Sequence, residues 1–406
     1  MMRKFLILFI ALSITRIAIG QIGKPEDVKY LVVLSMDGFR YDYIEKAATP
    51  TFDSIARIGV KSKGFIPAFP SKTFPNHYTM ATGLYPDNHG LVNNTFYDPE
   101  TGTTYRMGDS STRNNPYYYG GEPIWVTASK AGLKTASYFW VGTELPIKGI
   151  QPDYWKLYDG STPFEARMDT VIYWLGLPEE QRPRLIMWYL QEPDESGHIY
   201  GPESNEIFDL VSYLDKLVSD FCRKINQLPH AGQINLIFTS DHGMGQLSND
   251  RVIDLATIIP PDWVEKVVGG NPNYNIKAKP EYLDTIFQRL NETENIKVWK
   301  NPDLPARLNY GKNPRTLDLT VAADLGWSIN WQRYSNYRSS GGTHGYDPAY
   351  PEMHAIFYAI GPSFKRYHLH PAIENVNLYV LMAELLGLSP APNDGDLEKV
   401  IDMLRP

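Results

Sequence analysis

Three short, uninterrupted apolar runs constrain this chain more than anything else in it: Tyr30–Met36 (YLVVLSM), Leu185–Leu190 (LIMWYL) and residues 234–240 (INLIFTS). Each has the length of a strand. None alternates apolar with polar residues, which is the pattern of a strand covered on both faces, as in a parallel sheet packed between helices. Helical patterns separate them. Residues 50–58 open on Pro50 and stop at Gly59, 123–131 and 163–175 each begin on proline, and 207–225 carry apolar residues three or four apart. Strands alternating with helices over such a length predict an α/β fold, a doubly wound and mostly parallel sheet flanked by helices.

Each run also leads straight into chemically capable residues. Asp37 follows the first, Asp194 and His198 the second, and Asp241 and His242 the third. Ligands of doubly wound sheets bind beyond the carboxyl ends of the strands, so all five are predicted to meet there. Any one Asp or His is more often a cap or a turn residue; five at strand ends are a site. With His344 they make three Asp and three His, the type and number to hold two zinc-class ions with an open position on each. Asp194 and His198, four apart, suit one ion from a single helical turn. Asp241 and His242 could serve one ion or be split between two.

Residues 69–94 (FPSKTFPNHYTMATGLYPDNHGLVNN) supply what such a site would act through. Thr73 stands just ahead of a proline and a helical run, near a helix N-terminus whose free N–H groups attract anions such as phosphate. A threonine hydroxyl is a poor nucleophile until a base or metal activates it. Two ions about 4 Å apart are the usual arrangement for in-line displacement at phosphorus. Asn94, in the same stretch, could donate its side-chain N–H to a phosphoryl oxygen.

The rest of the chain sets the frame. A hydrophobic content of 43% with 13% aromatic residues over 406 positions is that of a folded protein, and the net charge of −7 argues against nucleic-acid binding through a basic face. Residues 1–20 read as a cleaved leader, with Arg3 and Lys4 ahead of an apolar stretch and a small-residue site before Gln21, predicting export to the periplasm or outside. No later run is long enough to span a membrane. Cys222, the single cysteine, reads as a packed residue. Residues 96–121 and 144–160 read as irregular loops, 135–140 and 355–360 as strands, and 374–386 as a closing helix ending at Gly387. Periodicity weakens from 246 to 336, which predicts a small inserted α+β subdomain, with 21–245 and 337–406 forming the catalytic domain.

These residues resemble a known family, the nucleotide pyrophosphatase/phosphodiesterases of the alkaline phosphatase superfamily. Lys72-Thr73-Phe74-Pro75-Asn76-His77-Tyr78, Thr82-Gly83-Leu84-Tyr85-Pro86, Glu192-Pro193-Asp194 with Gly197-His198, Ser240-Asp241-His242-Gly243-Met244 and Gly342-Thr343-His344-Gly345 look like its motifs, in its order. The resemblance implies an alkaline-phosphatase-like fold and a two-step hydrolysis through phosphothreonine at Thr73, with Asn94 binding a phosphoryl oxygen. It implies two Zn²⁺ ions, one held by Asp194, His198 and His344, the other by Asp37, Asp241 and His242, with Thr73 on a metal as well. His77 and His89 are not ligands in the pattern and are taken as structural. Phe74 and Tyr158 resemble the two aromatics that sandwich a base in nucleotide-cleaving members. The implied substrate is a nucleotide or dinucleotide, cleaved to a nucleoside 5′-monophosphate by a monomeric catalytic domain alone. A glycerophosphodiester or lysophospholipid head-group phosphodiesterase, and an inactive binding module, are the alternatives. A monoesterase would want a cationic clamp, and the sequence places no Arg near Thr73.

Overall fold

The computed structural model describes residues 30–332 and 340–406; the predicted leader and Gln21, and the 336/337 boundary of the predicted insertion, lie outside them. Eight strands form one sheet in the order His368–His370, Val60–Ser62, Phe357–Ile360, Ile234–Thr239, Tyr30–Met36, Leu185–Leu190, Thr135–Tyr138, Tyr154–Lys156. The three apolar runs are its adjacent central strands. Tyr30–Met36 lies between the other two and is parallel to both, so that Ser35 is opposite Tyr189 on one side and Thr239 on the other. All three chains therefore leave the sheet at one end. Phe357–Ile360 runs antiparallel to both of its neighbours, and the sheet is mixed but mainly parallel.

Why these runs lack alternation is visible in the packing. Leu31 and Val33 enter a core completed by Tyr78, Met80 and Ala81 of the Thr73–Thr82 helix, by the Ile124–Lys130 helix and by Leu378–Leu386. Tyr30, Val32, Leu34 and Met36 enter a second core on the other face, with Phe52 and Ile55 of Pro50–Ile58 and with Ile207, Val211, Leu214, Val218 and Phe221 of Asn205–Ile225. Successive side chains point to opposite faces, and each face has its own helical cover.

A separate four-stranded antiparallel sheet, in the order Val264–Gly270, Asn273–Ala278, Leu319–Ala323, Ile296–Lys300, carries a third core with the Leu283–Asn291 helix. The chain leaves for it through Gly245–Gln246 and returns through Gly342–Thr343, and these two segments pair antiparallel.

Some local expectations are corrected. The stretch 96–121 holds a hairpin, Thr95–Asp98 with Thr103–Arg106, then a helical turn Ser110–Arg113 and a 3-10 turn Pro116–Tyr118. Phe96 stacks on Tyr105 with ring centres 4.7 Å apart, and Gly102, at φ +68°, turns the chain between the strands; cross-strand aromatic pairing supplies the order that periodicity did not display. Within 144–160, Tyr154–Lys156 adds an edge strand. The 135–140 strand ends at Tyr138 because Phe139 takes φ +70°. The closing helix begins at Leu378, after a 3-10 turn over Asn375–Asn377, and stops at Gly387 in the left-handed conformation.

Candidate active site

Beyond the common end of the three central strands lies a cavity of about 540 Å³ whose wall includes Asp37, Lys72, Thr73, Phe74, Asn94, Tyr158, Asp194, His198 and His344. Asp241 and His242 lie fully buried beneath it, and both touch residues of its wall. Thr73 is the first residue of its helix, with Lys72 as the extended residue before it. Its hydroxyl is 3.3 Å from His242 Nε2.

The three histidines share one arrangement. His198 Nδ1 donates to the Gly342 carbonyl (2.9 Å), His242 Nδ1 to Gly243 (2.9 Å) and His344 Nδ1 to Ser71 (2.8 Å). Each Nε2 is thereby left as a lone pair, and each faces carboxylate oxygen. His198 Nε2 is 3.4 Å and His344 Nε2 3.6 Å from Asp194; His242 Nε2 is 3.4 Å from Asp37 and 3.0 Å from Asp241. The carboxylates are equally one-sided. Tyr189 donates to Asp37 Oδ2 and the Gly38 N–H to Asp241 Oδ1, while Asp37 Oδ1, Asp194 Oδ1 and Asp241 Oδ2 are buried without a hydrogen-bond partner. A cation held between them would satisfy these opposed lone pairs. Burial, then the charges of Asp241 and Asp194, push the Asp37 carboxyl well above its ordinary range. Burial would raise Asp194 and Asp241 too, but the adjacent histidines, His344 and His198 for one and His242 and His77 for the other, hold both below it. The donor set fits hard-to-borderline dications of the zinc class.

Asp194, His198 and His344 come together as one potential ligand group, and Asp37 groups both with Asp194 and His242 and with His77 and Asp241. Asp37, Asp241 and His242, the other predicted trio, meet pairwise through the His242 contacts. Gly38 makes this convergence possible: at φ +68°, a Cβ there would stand 2.9 Å from the Asp194 Cα. Backbone from two strand ends meets at that point, which only glycine tolerates.

The first turn of the Thr73 helix offers an anion less than its position suggested. Its Phe74 N–H donates to Asn94 Oδ1 (3.0 Å), and Pro75 has no N–H to give. The same bond fixes the Asn94 amide with its oxygen engaged, leaving the NH₂ group for the cavity. Tyr158, half-exposed, packs its ring on Phe139 (5.1 Å) and takes its backbone position from Glu144, which accepts its N–H. His77 is fully buried, with Nδ1 on the Thr73 carbonyl (3.0 Å) and Nε2 on Ser35 (2.9 Å). His89 is packed under the same helix, bonded to Thr79 and Pro75.

Several contributors went unread in the sequence. Lys72 is buried in the cavity wall, its Nζ donating to the Asn271 carbonyl (2.7 Å) of the second sheet's hairpin, and burial pulls its pKa down to about 7. Asn76 holds the loop before the nucleophile by accepting from Ala68 N–H and donating to the Ala68, Pro70 and Lys72 carbonyls. A lysine beside a candidate nucleophile was the available signal for the first; the second had none. Arg113 also reaches the cavity wall, from the Ser110–Arg113 turn. It came from far along a loop whose fold was unread.

Comparison with known proteins gives a consistent result. A family model described as type I phosphodiesterase / nucleotide pyrophosphatase matches residues 31–347. Among curated proteins the chain is similar to the venom phosphodiesterase CdcPDE of Crotalus durissus collilineatus, 38% identical over 377 residues, covering 90% of this chain and 45% of that one. It is similar to ectonucleotide pyrophosphatase/phosphodiesterase family member 1 of Homo sapiens, 36% identical over 378 residues, covering 90% and 40%. The chain thus spans less than half the length of these curated relatives. Solved structures of human and murine ectonucleotide pyrophosphatase / phosphodiesterase 5, the murine one an inactive variant in complex with AMP, superpose with TM-scores of 0.86 and 0.87 at 33% and 34% identity, covering 93% of this chain and all of each of theirs.

Proposed function

We propose, given that the chain belongs to the type I phosphodiesterase / nucleotide pyrophosphatase family, that it hydrolyses nucleotide phosphodiester or pyrophosphate bonds and releases nucleoside 5′-monophosphates. The observation carrying this reading is the set of three histidine Nε2 lone pairs and three bare carboxylate oxygens gathered beside the Thr73 hydroxyl, at the base of an aromatic-walled cavity. The AMP complex of the murine neighbour supports the product class.

In this reading Asp194, His198 and His344 hold one zinc ion and Asp37, Asp241 and His242 the other, with Thr73 also a ligand. When bound, the ions supply Lewis-acid stabilisation of charge on the attacking and departing oxygens. Thr73 Oγ1 attacks phosphorus in line, its bond to phosphorus forms as the bond to the leaving oxygen breaks, and the hydroxyl proton ends on the leaving group. Water then attacks the phosphothreonine, breaking the Oγ1–P bond and restoring the hydroxyl. The Asn94 amide, oriented by Phe74 N–H, donates to a non-bridging oxygen throughout. Phe74 and Tyr158 stack on the base.

Export behind a leader of residues 1–20 belongs to the same proposal, checked by N-terminal sequencing of secreted protein, which should begin near Gln21. No described helix is long and apolar enough to cross a membrane. The division into a catalytic domain, 21–245 with 337–406, and an insertion, 246–336, is supported by the separate core of the four-stranded sheet and the paired segments at its base.

Glu144 and Glu195 in the cavity wall, close to Tyr158, favour a second reading, in which an acidic and aromatic cage takes the quaternary ammonium of a choline head group. One comparison separates them. Hydrolysis of thymidine 5′-monophosphate p-nitrophenyl ester is measured beside p-nitrophenylphosphorylcholine and p-nitrophenyl phosphate, with and without chelator. Chelator-sensitive preference for the nucleotide ester is expected; preference for the choline ester moves the substrate to lipid head groups, and no turnover of any of them leaves a binding module.

A further inference from the structure

At the edge of the main sheet, three strand positions from Ile234–Thr239 and so roughly 14 Å across the sheet at about 4.8 Å per step, a second cluster stands outside the cavity. His368 and His370, two apart on one strand, project to the same face. Asp402, from the 3-10 turn Ile401–Met403, meets them with both oxygens: Oδ1 is 2.9 Å from His370 Nε2 and Oδ2 3.5 Å from His368 Nε2.

The hydrogen bonds of the neutral side chains do not balance. His370 Nδ1 lies 2.8 Å from the Pro371 carbonyl and its Nε2 2.9 Å from Asp402. Both partners accept only, and a neutral ring has one N–H. A second proton would satisfy His370 alone. His368 Nε2 would still be enclosed without a hydrogen-bond partner, as it is here. One metal ion would take a lone pair from each ring and one from the carboxylate, while the Pro371 carbonyl held His370 in the tautomer that presents Nε2. Two ligands each about 2.05 Å from a tetrahedral ion are about 3.3 Å apart; each ring Nε2 is near that distance from one of the two Asp402 oxygens, and one donor atom from each of the three residues lies within 4.8 Å of the others.

We propose that His368, His370 and Asp402 form a further metal site, for one zinc-class dication with water as its fourth ligand. Its role is structural: it fastens residues 401–403 to an edge strand. It takes no part in hydrolysis and stands whether or not the catalytic reading holds.

The test counts ions. The full chain is stripped with chelator, equilibrated in a zinc buffer and analysed by mass spectrometry for bound zinc, as wild type, Asp402→Asn and His368→Gln. Both substituted positions are partly exposed, which spares the fold; buried His370 is left in place. Each variant is expected to bind one equivalent fewer than wild type while hydrolysing the thymidine ester at an unchanged kcat/KM, and zinc is expected to raise the melting temperature of wild type more than that of either variant. Equal zinc content in all three proteins would overturn the site, leaving only the His370–Asp402 contact.

Discussion

At the scale of single residues, the roles proposed for Thr73 and Tyr158 separate chemistry from recognition. Thr73 Oγ1 is the one hydroxyl in contact with His242 Nε2 among the described residues. Thr73→Ala is expected to cut kcat by at least about a thousandfold, as loss of a covalent nucleophile does, with nucleotide affinity measured by equilibrium dialysis largely kept. Retained turnover would remove Thr73 from the reaction. Tyr158 stands half-exposed in the cavity wall, held by Phe139 and Glu144. A base stacked on it is worth about 1 to 3 kcal/mol, so Tyr158→Ala should raise KM for the thymidine ester about 5- to 150-fold with p-nitrophenyl phosphate unaffected; an equal loss on both substrates would deny it a base-binding role. Thr73 was singled out in the sequence by its place at a helix start, Tyr158 only through the family resemblance. Lys72 and Arg113 were not, because a side chain's entry into a cavity depends on where distant loops lie.

At the scale of elements, two packing points carry the site. Gly38 joins the end of the Tyr30–Met36 strand to the start of the Asp194–Tyr200 helix. A methyl group there would meet the Asp194 backbone, and the positive φ adds strain of about 1 kcal/mol or more. Gly38→Ala should therefore lower both the unfolding midpoint and zinc affinity, the latter read by competition with a chelating dye. His89 supports the nucleophile's helix from below. Burial lowers its pKa to about 3, and its Nδ1 accepts the Leu91 N–H, so it folds neutral. As pH falls through about 6.5 the unfolded chain takes the proton first, so the stability His89 gives is complete above that pH and declines toward the folded value. Wild type should lose about 1.7 kcal/mol more than His89→Gln between pH 6.5 and 5, the slope approaching about 1.36 kcal/mol per pH unit only below the unfolded pKa; parallel urea-unfolding curves for the two would contradict this.

At the scale of the whole molecule, the second sheet closes the site from outside the strand ends. Asn93 donates to Asn273 (2.7 Å), Asn273 to the Gly345 carbonyl (2.6 Å) and Lys72 to Asn271 (2.7 Å), so the hairpin of that sheet touches the segments bearing Asn94, His344 and Thr73. The proposed metal-ligand residues come from three strand ends and the returning segment, so ions bound among them would tie these parts together. A ligand that binds only the folded state at 100 times its Kd stabilises by about 2.7 kcal/mol. Chelation should accordingly lower the melting temperature by several degrees, reversibly on adding zinc; an unchanged melting curve would mean the folded chain holds no metal.

Local sequence pattern was enough to define the sheet and to identify its chemical end. Uninterrupted apolar runs can only be buried on both faces, and the residues directly after such a strand must emerge beside its parallel neighbours. The Pro50–Ile58 helix and most of Asn205–Ile225 were readable in the same way, from local spacing and stop signals, as was the end of the closing helix at Gly387 but not its start at Leu378. Chain closure alone turned the three histidine Nε2 atoms inward, since carbonyls of Ser71, Gly243 and Gly342 set those tautomers from distant or sharply turned backbone. It also brought His368, His370 and Asp402 together. Local pattern reports which face of an element is buried; which atoms face one another across elements depends on how the chain closes.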